Sequence, residues 1–583
     1  MTSTPRRLAL AAVAALALAG CGSQPRSATG APLTKPDLDR IAARQHGPVP
    51  PGFADFLDGV ARDEPAVAPL AARYRAQAPL DGAGLDQAAR LLGLHNRLLN
   101  QAAVIDATAR MVALPTVRGT LPPHEDPQIL AFGQLVAGMA ADFGLQYRNV
   151  DNRIFEVRLP GSGADEFGIL THADVVPVVA SEWVLDDGTR LDPFRLTRVG
   201  GLLYGRGSID DKGSIATVLY AMKAVRESGL PLQRTIRLMI ETTEETGGDA
   251  MRYYAERHAL PAYNVVLDSR YPAVVAEKGT GALRAGFALA PRGPVPAGGA
   301  TITALTASAS ANAIAQTAVA RLRADDPAAL AARLSAAGAG FVRRHEAQGG
   351  RFAIDVARQA DGVEVKVTGS SAHGSRPEEG VNPLPRLALF LQQSGVALAD
   401  NGYAQATRYI ADLFGLDYLG HAMGLAWRDD FMGPLTMSPT LVRENAGRVE
   451  VTANVRMPRG RTPEALAAAT QAKVRAWGAA TGIPVEVAHT QGNWMARDPS
   501  GAWLATLLNI FGDTTGLPAA PVSTAGSTTA KQMPNAINFG PAMPGKKYTA
   551  HNAKEYKEID DLDADMQMFT EMLVRIGNLP RMQ

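Results

Sequence analysis

The sequence has one cysteine, Cys21, among 583 residues. A lone thiol excludes an internal disulfide and a cysteine-based metal site. Charge of one sign is also missing: 58 Lys and Arg stand against 57 Asp and Glu, a formal net charge of +1. Aromatics make up 6% of the chain and nowhere interleave with basic residues, so a nucleic-acid partner is excluded. No Gly-x-Ser-x-Gly elbow occurs, which leaves serine hydrolysis without support. There is no internal repeat and no coiled coil. The apolar run from Leu8 to Ala19 is too short to span a membrane as a permanent helix. What remains is ordinary globular material, 46% hydrophobic and 20% charged, long enough for roughly three or four domains. A small molecule or peptide is the substrate class this leaves.

The N-terminus reads as an address. Arg6-Arg7 precedes the apolar run, and Leu18-Ala19-Gly20-Cys21 closes it. That is the layout of a secretory signal, and its last four residues resemble a bacterial lipobox. The expectation is an exported protein anchored in the bacterial envelope, facing the periplasm, through a lipid on Cys21, its one membrane contact. Residues 1–21 are then the signal, and the Pro-, Gly-, Ser- and Ala-rich residues 22–48 a flexible tether. Residues 49–110 form a helical extension, with apolar positions three and four apart from Leu85 to Leu99. His46 and His95 lie in these segments as surface or packing residues.

From about residue 125, helix and strand alternate. Pro127–Phe143 and Ile215–Ser228 read as helices; Arg153–Leu159, Phe167–Thr171, Arg234–Glu241 and Val265–Leu267 read as strands. This predicts an α/β catalytic domain, a mixed sheet with helices on both faces. It occupies residues 111–282 and resumes over 492–583, with Ala536–Gly540 as a strand and Leu562–Ile576 as the closing helix. Residues 283–491 read as an inserted α+β lid domain. Its strands are Val363–Val367 and Arg448–Arg456, and its Ala-rich helices are Ala313–Leu322 and Pro463–Trp477.

Polar groups stand where the apolar strands end: His172 and Asp174, then Glu244 and Glu245, then Asp268. Asp210 lies between, in Gly205-Arg206-Gly207-Ser208-Ile209-Asp210-Asp211-Lys212-Gly213. Ionisable groups at such positions are costly unless used. Imidazole and carboxylate donors suit a zinc-like cation, and an adjacent spare Glu suits a general base. The chain therefore reads as a two-metal hydrolase. Asp211 and Lys212 read as helix-start residues, Thr242 and Thr243 as strand packing.

Six segments, in order, resemble peptidase family M20, the metallopeptidases that include aminoacylases, glutamate carboxypeptidases, carnosinases and bacterial dipeptidases. They are Thr171–Pro177, Tyr204–Gly213, Thr243–Gly248, Leu267–Pro272 with Glu277-Lys278-Gly279, Ser371–Pro383, and His551–Tyr556. The bacterial dipeptidases are the nearest branch. The resemblance implies that His172 and Asp268 complete one metal site, Glu245 and His551 the other, and that Asp210 bridges them. Glu244 is then the general base, and Asp174 orients His172 by accepting from its second ring nitrogen. A cis peptide is implied at Asp210–Asp211. The lid is to supply His373, Asn312 for the oxyanion and Arg456 to clamp a substrate carboxylate. Gly526 and Thr528 are to contact the substrate terminus. Two divalent ions are implied, zinc first, with manganese or cobalt able to use the same donors. The expected substrates are dipeptides or small peptides. An N-acyl-amino-acid deacylase, a carboxypeptidase and a non-catalytic peptide-binding lipoprotein are the alternatives. Monomer and homodimer both stay open.

Overall fold

In the computed structural model, residues 33–583 apart from Asp81 and Arg292 are described. The signal segment, Cys21 and the first part of the tether lie outside the described residues. A nine-stranded mixed sheet organises the catalytic part. At its centre Thr235–Glu241, Glu166–His172, Tyr263–Val266 and Ala536–Asn538 lie side by side and parallel. Ile154–Leu159 and Gln146–Val150 extend one edge antiparallel. Ala273–Glu277, flanked by Met495–Ala496 and Pro521–Thr524, forms the other.

These strands are continuous apolar runs because both faces are covered. Ile169, Leu238 and Val265 join the main core, while the alternate residues Leu170, Met239 and Val266 join a smaller cluster on the opposite face with Tyr254 and Met533. The main-core face carries helices Gly82–Val112, Lys212–Ser228 and Ile559–Gly577, packed on one another. Because the central strands are parallel, with His172 in register with Glu241, the residues that follow them emerge along one edge.

The N-terminal helices belong to that main core. Within Gly82–Val112, Gly93 is the contact point: a Cβ there would lie 2.5 Å from the Gln567 carbonyl oxygen. Nearby, buried Arg90 pairs with Glu571 at 2.8 Å and Asp513 at 2.9 Å. One further helix, Lys35–Arg44, lies in the segment read as tether, closed at its start by a Thr34–Asp37 capping box.

A second core is drawn wholly from residues between Leu283 and Ile483. It lies within two four-stranded antiparallel sheets and their helices. One sheet runs Thr436–Asn445, Arg448–Met457, Gly279–Ala288, Glu486–Gln491; the other runs Thr301–Thr306, Thr317–Arg323, Gly362–Thr368, Ala353–Arg358. The helix expected at Ala313–Leu322 is a strand instead. Ala318, Ala320 and Leu322 are buried while Arg321 and Arg323 point out, a period of two that alanine's helix propensity obscured. Among the described residues no helix is long and apolar enough to cross a membrane.

Candidate active site

His172 ends its strand, Asp268 follows Tyr263–Val266 by two residues, and a single turn, Glu244–Thr246, follows Thr235–Glu241. Asp210 precedes helix Lys212–Ser228, and the Asp210–Asp211 peptide is cis. The sheet edge thus assembles groups from four distant stretches of sequence, and His551 completes them from a loop where its φ is +62°.

The two oxygens of Asp210 face two different imidazoles. Oδ1 lies 2.9 Å from His172 Nε2, and Oδ2 lies 3.2 Å from His551 Nε2. Asp268 is 3.7 Å from the same His172 nitrogen, and Glu245 is 2.7 Å from His551 Nε2. Donor atoms of His172, Asp210 and Glu245, and separately of His172, Glu244 and Asp268, lie within 4.8 Å of one another. Either set could hold a cation. The electrostatics agree: burial opposes a charged His551 ring, but Glu245 and Asp210 outweigh it and lift the ring to about 10. His172 is likewise raised against burial by Asp174, Asp210 and Asp268. Burial and then the charge of Asp210 push Asp268 up to about 7. Burial, and after it Asp268, push Glu244 well above the usual carboxylate range. Protons are held here because carboxylates are crowded; cations would take their place, and the donors fit a divalent pair.

Asp174 acts differently from expectation. His172 Nδ1 meets the Asp174 backbone carbonyl at 2.9 Å, while the carboxylate lies 3.6 Å away. The carboxylate instead accepts the backbone N–H groups of Glu244 and Glu245, each at 3.1 Å. It fixes the turn that carries the glutamates. Asp211 and Lys212 do start a helix, yet both are fully buried, and Lys212 Nζ donates to the Leu114 carbonyl at 2.7 Å.

A cavity of about 260 Å³ opens on this edge, with Asp210, Glu244, Glu245, Asp268 and His551 at one end. His373, Asn312 and Arg456 reach it from the other core, and Gly526 and Thr528 form part of its wall. Ser375 donates its backbone N–H to His373 Nδ1 at 3.0 Å, so the neutral ring carries its proton on Nε2. Burial and the neighbouring His551 hold that ring neutral. Arg456 is 2% exposed and does not face solvent; its Nε donates to Asn454 and its Nη1 to Thr280. Asn312 Oδ1 accepts from Asn454, which leaves its amide N–H groups as the donors. The Thr528 hydroxyl is turned away from the cavity, donating to buried Glu277 at 2.7 Å.

Sequence reasoning missed several supports. Glu555 Oε1 accepts the backbone N–H groups of Gly207, Ile209 and Asp210, and Oε2 pairs with Arg206 at 2.5 Å. Glu277 holds the loop ending at Thr528, and Glu241 accepts from Thr529. Glu241 and Glu277 each end an apolar strand, a signal that could have found them.

The family model for peptidase family M20/M25/M40 matches residues 168–575. The Beta-Ala-Xaa dipeptidase of Lactobacillus delbrueckii subsp. lactis is 28% identical over 418 residues, 71% of this chain and 83% of that one. A putative dipeptidase of Bacillus subtilis (strain 168), YtjP, is 26% identical over 419 residues, 72% of this chain and 84% of that one. The crystal structure of human carnosine dipeptidase 1 covers 86% of this chain and 100% of its own at a TM-score of 0.54 and 13% identity, a likeness of fold. The chain belongs to peptidase family M20/M25/M40 and is a metallopeptidase.

Proposed function

We propose that this metallopeptidase hydrolyses the peptide bond of dipeptides with two divalent cations, zinc first among them. The observation that carries the reading is the convergence, in one cavity, of a His/carboxylate donor cluster with a buried arginine oriented by Asn454 and Thr280. His172 and Asp268 would hold one cation and Glu245 and His551 the other, with Asp210 offering one oxygen to each. Bound there, such a pair supplies Lewis acidity, polarising a carbonyl and acidifying water. Glu244, pushed toward proton retention by its surroundings, takes a proton from the attacking water and delivers it to the amine as the C–N bond breaks. His373 Nε2–H and the Asn312 amide donate to the oxygen on which charge develops. Arg456 spends Nε and Nη1 on its supports and keeps Nη2 for the substrate carboxylate. The relatives named above as dipeptidases support the choice of substrate.

The test is a panel of free dipeptides and N-acetyl amino acids against protein loaded with zinc, manganese or cobalt, with a chelated control. Dipeptide turnover lost on chelation supports the reading. Turnover of acyl substrates alone replaces it with a deacylase.

We also propose that the protein is exported and anchored through Cys21. Radiolabelled lipid incorporation that persists in Cys21→Ser would overturn this.

A further inference from the structure

Two cations line the cavity without a carboxylate partner among the described residues: Arg456 and Lys531. Arg456 has a use in the reading above; Lys531 has none. Its Nζ donates to two backbone carbonyls, Lys278 at 2.6 Å and Asn493 at 3.0 Å, and to no acid. The carboxylate that most affects it is Glu277, whose oxygens are already taken by Thr528 and Asn538. Burial holds the Lys531 ammonium at about 8, so it is charged at neutral pH and poorly compensated. A buried charge lacking a counter-ion is costly, and an incoming anion relieves that cost.

The two cations have anchors on one short segment. Lys531 is bonded to the carbonyl of Lys278 and Arg456 to the hydroxyl of Thr280, two residues further on, roughly 7 Å along an extended chain. Lys531 reaches it from the turn Thr529–Gln532 of the catalytic part, Arg456 from strand Arg448–Met457 of the lid. The two cations therefore converge on one short segment, and Arg456 further disfavours the Lys531 ammonium, so a ligand carrying two carboxylates relieves both charges at once. The remaining cavity-lining arginine, Arg376, already faces Glu379 at 3.3 Å.

We propose that Lys531 and Arg456 form a paired anion subsite, so that this enzyme favours dipeptides whose C-terminal residue is aspartate or glutamate. Arg456 takes the α-carboxylate and Lys531 the side-chain carboxylate. This inference rests on the dipeptidase reading above.

The experiment compares kcat/KM for Ala-Glu and Ala-Gln, a pair differing only in that charge, on the metal-loaded full chain. The native protein is expected to favour Ala-Glu at least tenfold. Lys531→Met is expected to cut Ala-Glu at least tenfold more than Ala-Gln, and Lys531→Arg to retain the preference. A native ratio near one with brisk turnover overturns the subsite while leaving the dipeptidase reading intact. Equal losses on both substrates in Lys531→Met also overturn it, placing Lys531 on the α-carboxylate or in the scaffold. Absence of any dipeptide turnover defeats the dipeptidase reading itself. The native comparison needs no variant, so misfolding of Lys531→Met cannot shield the proposal.

Discussion

The imidazole of His373 stacks on that of His551, ring centroids 4.4 Å apart with 25° between their planes, although the two residues lie far apart in sequence. Ser375 fixes the His373 proton on Nε2, and burial with the neighbouring His551 keeps the ring neutral. A neutral donor held beside the metal-binding end can stabilise charge that appears only during reaction. His373→Ala should therefore lower kcat by about 10²–10³ with a much smaller change in KM. A rise in KM with kcat preserved would make His373 a binding residue only.

Glu244 has its backbone N–H on Asp174 and its carboxyl in the cavity beside Asp268. As a proton carrier it should be dispensable for holding cations but not for turnover. Glu244→Gln is expected to lose about 10²–10⁴ in kcat while two equivalents of metal remain by elemental analysis. Loss of metal in step with activity would reassign it as a ligand, a role its proximity to His172 and Asp268 would permit.

Glu555 makes no contact with the cavity, yet it gathers three backbone N–H groups of the loop that presents Asp210 and lies four residues from His551. It ties the two carriers together. Glu555→Gln keeps the shape but gives up acceptor strength, and metal affinity should fall about 10–100-fold in a chelator competition. An unchanged affinity in a folded variant would show that the loop holds its form unaided.

The strand-end donor groups were legible because buried parallel strands are nearly unbroken apolar runs, so His172 or Asp268 at or just past a strand end stands out. The second core was legible for a different reason: Val363–Val367 and Arg448–Arg456 alternate apolar and polar residues, as antiparallel strands with one buried face do. Glu555, Ser375 and Lys531 were not. Glu555 acts on residues 345 to 349 positions away, and Lys531 is defined by carbonyls of Lys278 and Asn493, which no local pattern announces. The strand Thr317–Arg323 was hidden by alanines, whose helix propensity is a weak local preference that sheet burial overrode.

The buried Arg90–Glu571 pair, 3% and 0% exposed, joins the long N-terminal helix to the closing helix of the sheet domain. Glu571 also pairs with Arg575 at 2.8 Å, so removing Arg90 takes one of two cations from the buried carboxylate, at a cost of about 1.5–3 kcal/mol. Arg90→Ala should lower the denaturant midpoint accordingly. A single variant within about 1 kcal/mol of the native protein would mean the helix is docked by its apolar face alone.

Lys531 offers a pH test independent of substrate. Its ammonium titrates at about 8 in the folded protein, against 10.5 when exposed, because burial disfavours the charge. Between those values the unfolded chain binds the proton and the folded one does not, so stability rises with pH across that window. Below it the penalty is constant, and above it the penalty is gone. Lys531→Met has no such proton, so the native protein should gain on it by on the order of 2–3 kcal/mol between pH 7 and pH 10, read by urea unfolding. If the two proteins instead track each other over that range, the ammonium is solvated and its carbonyl contacts at Lys278 and Asn493 do not bury it; if the native protein falls behind, a carboxylate partners Lys531 in the folded state.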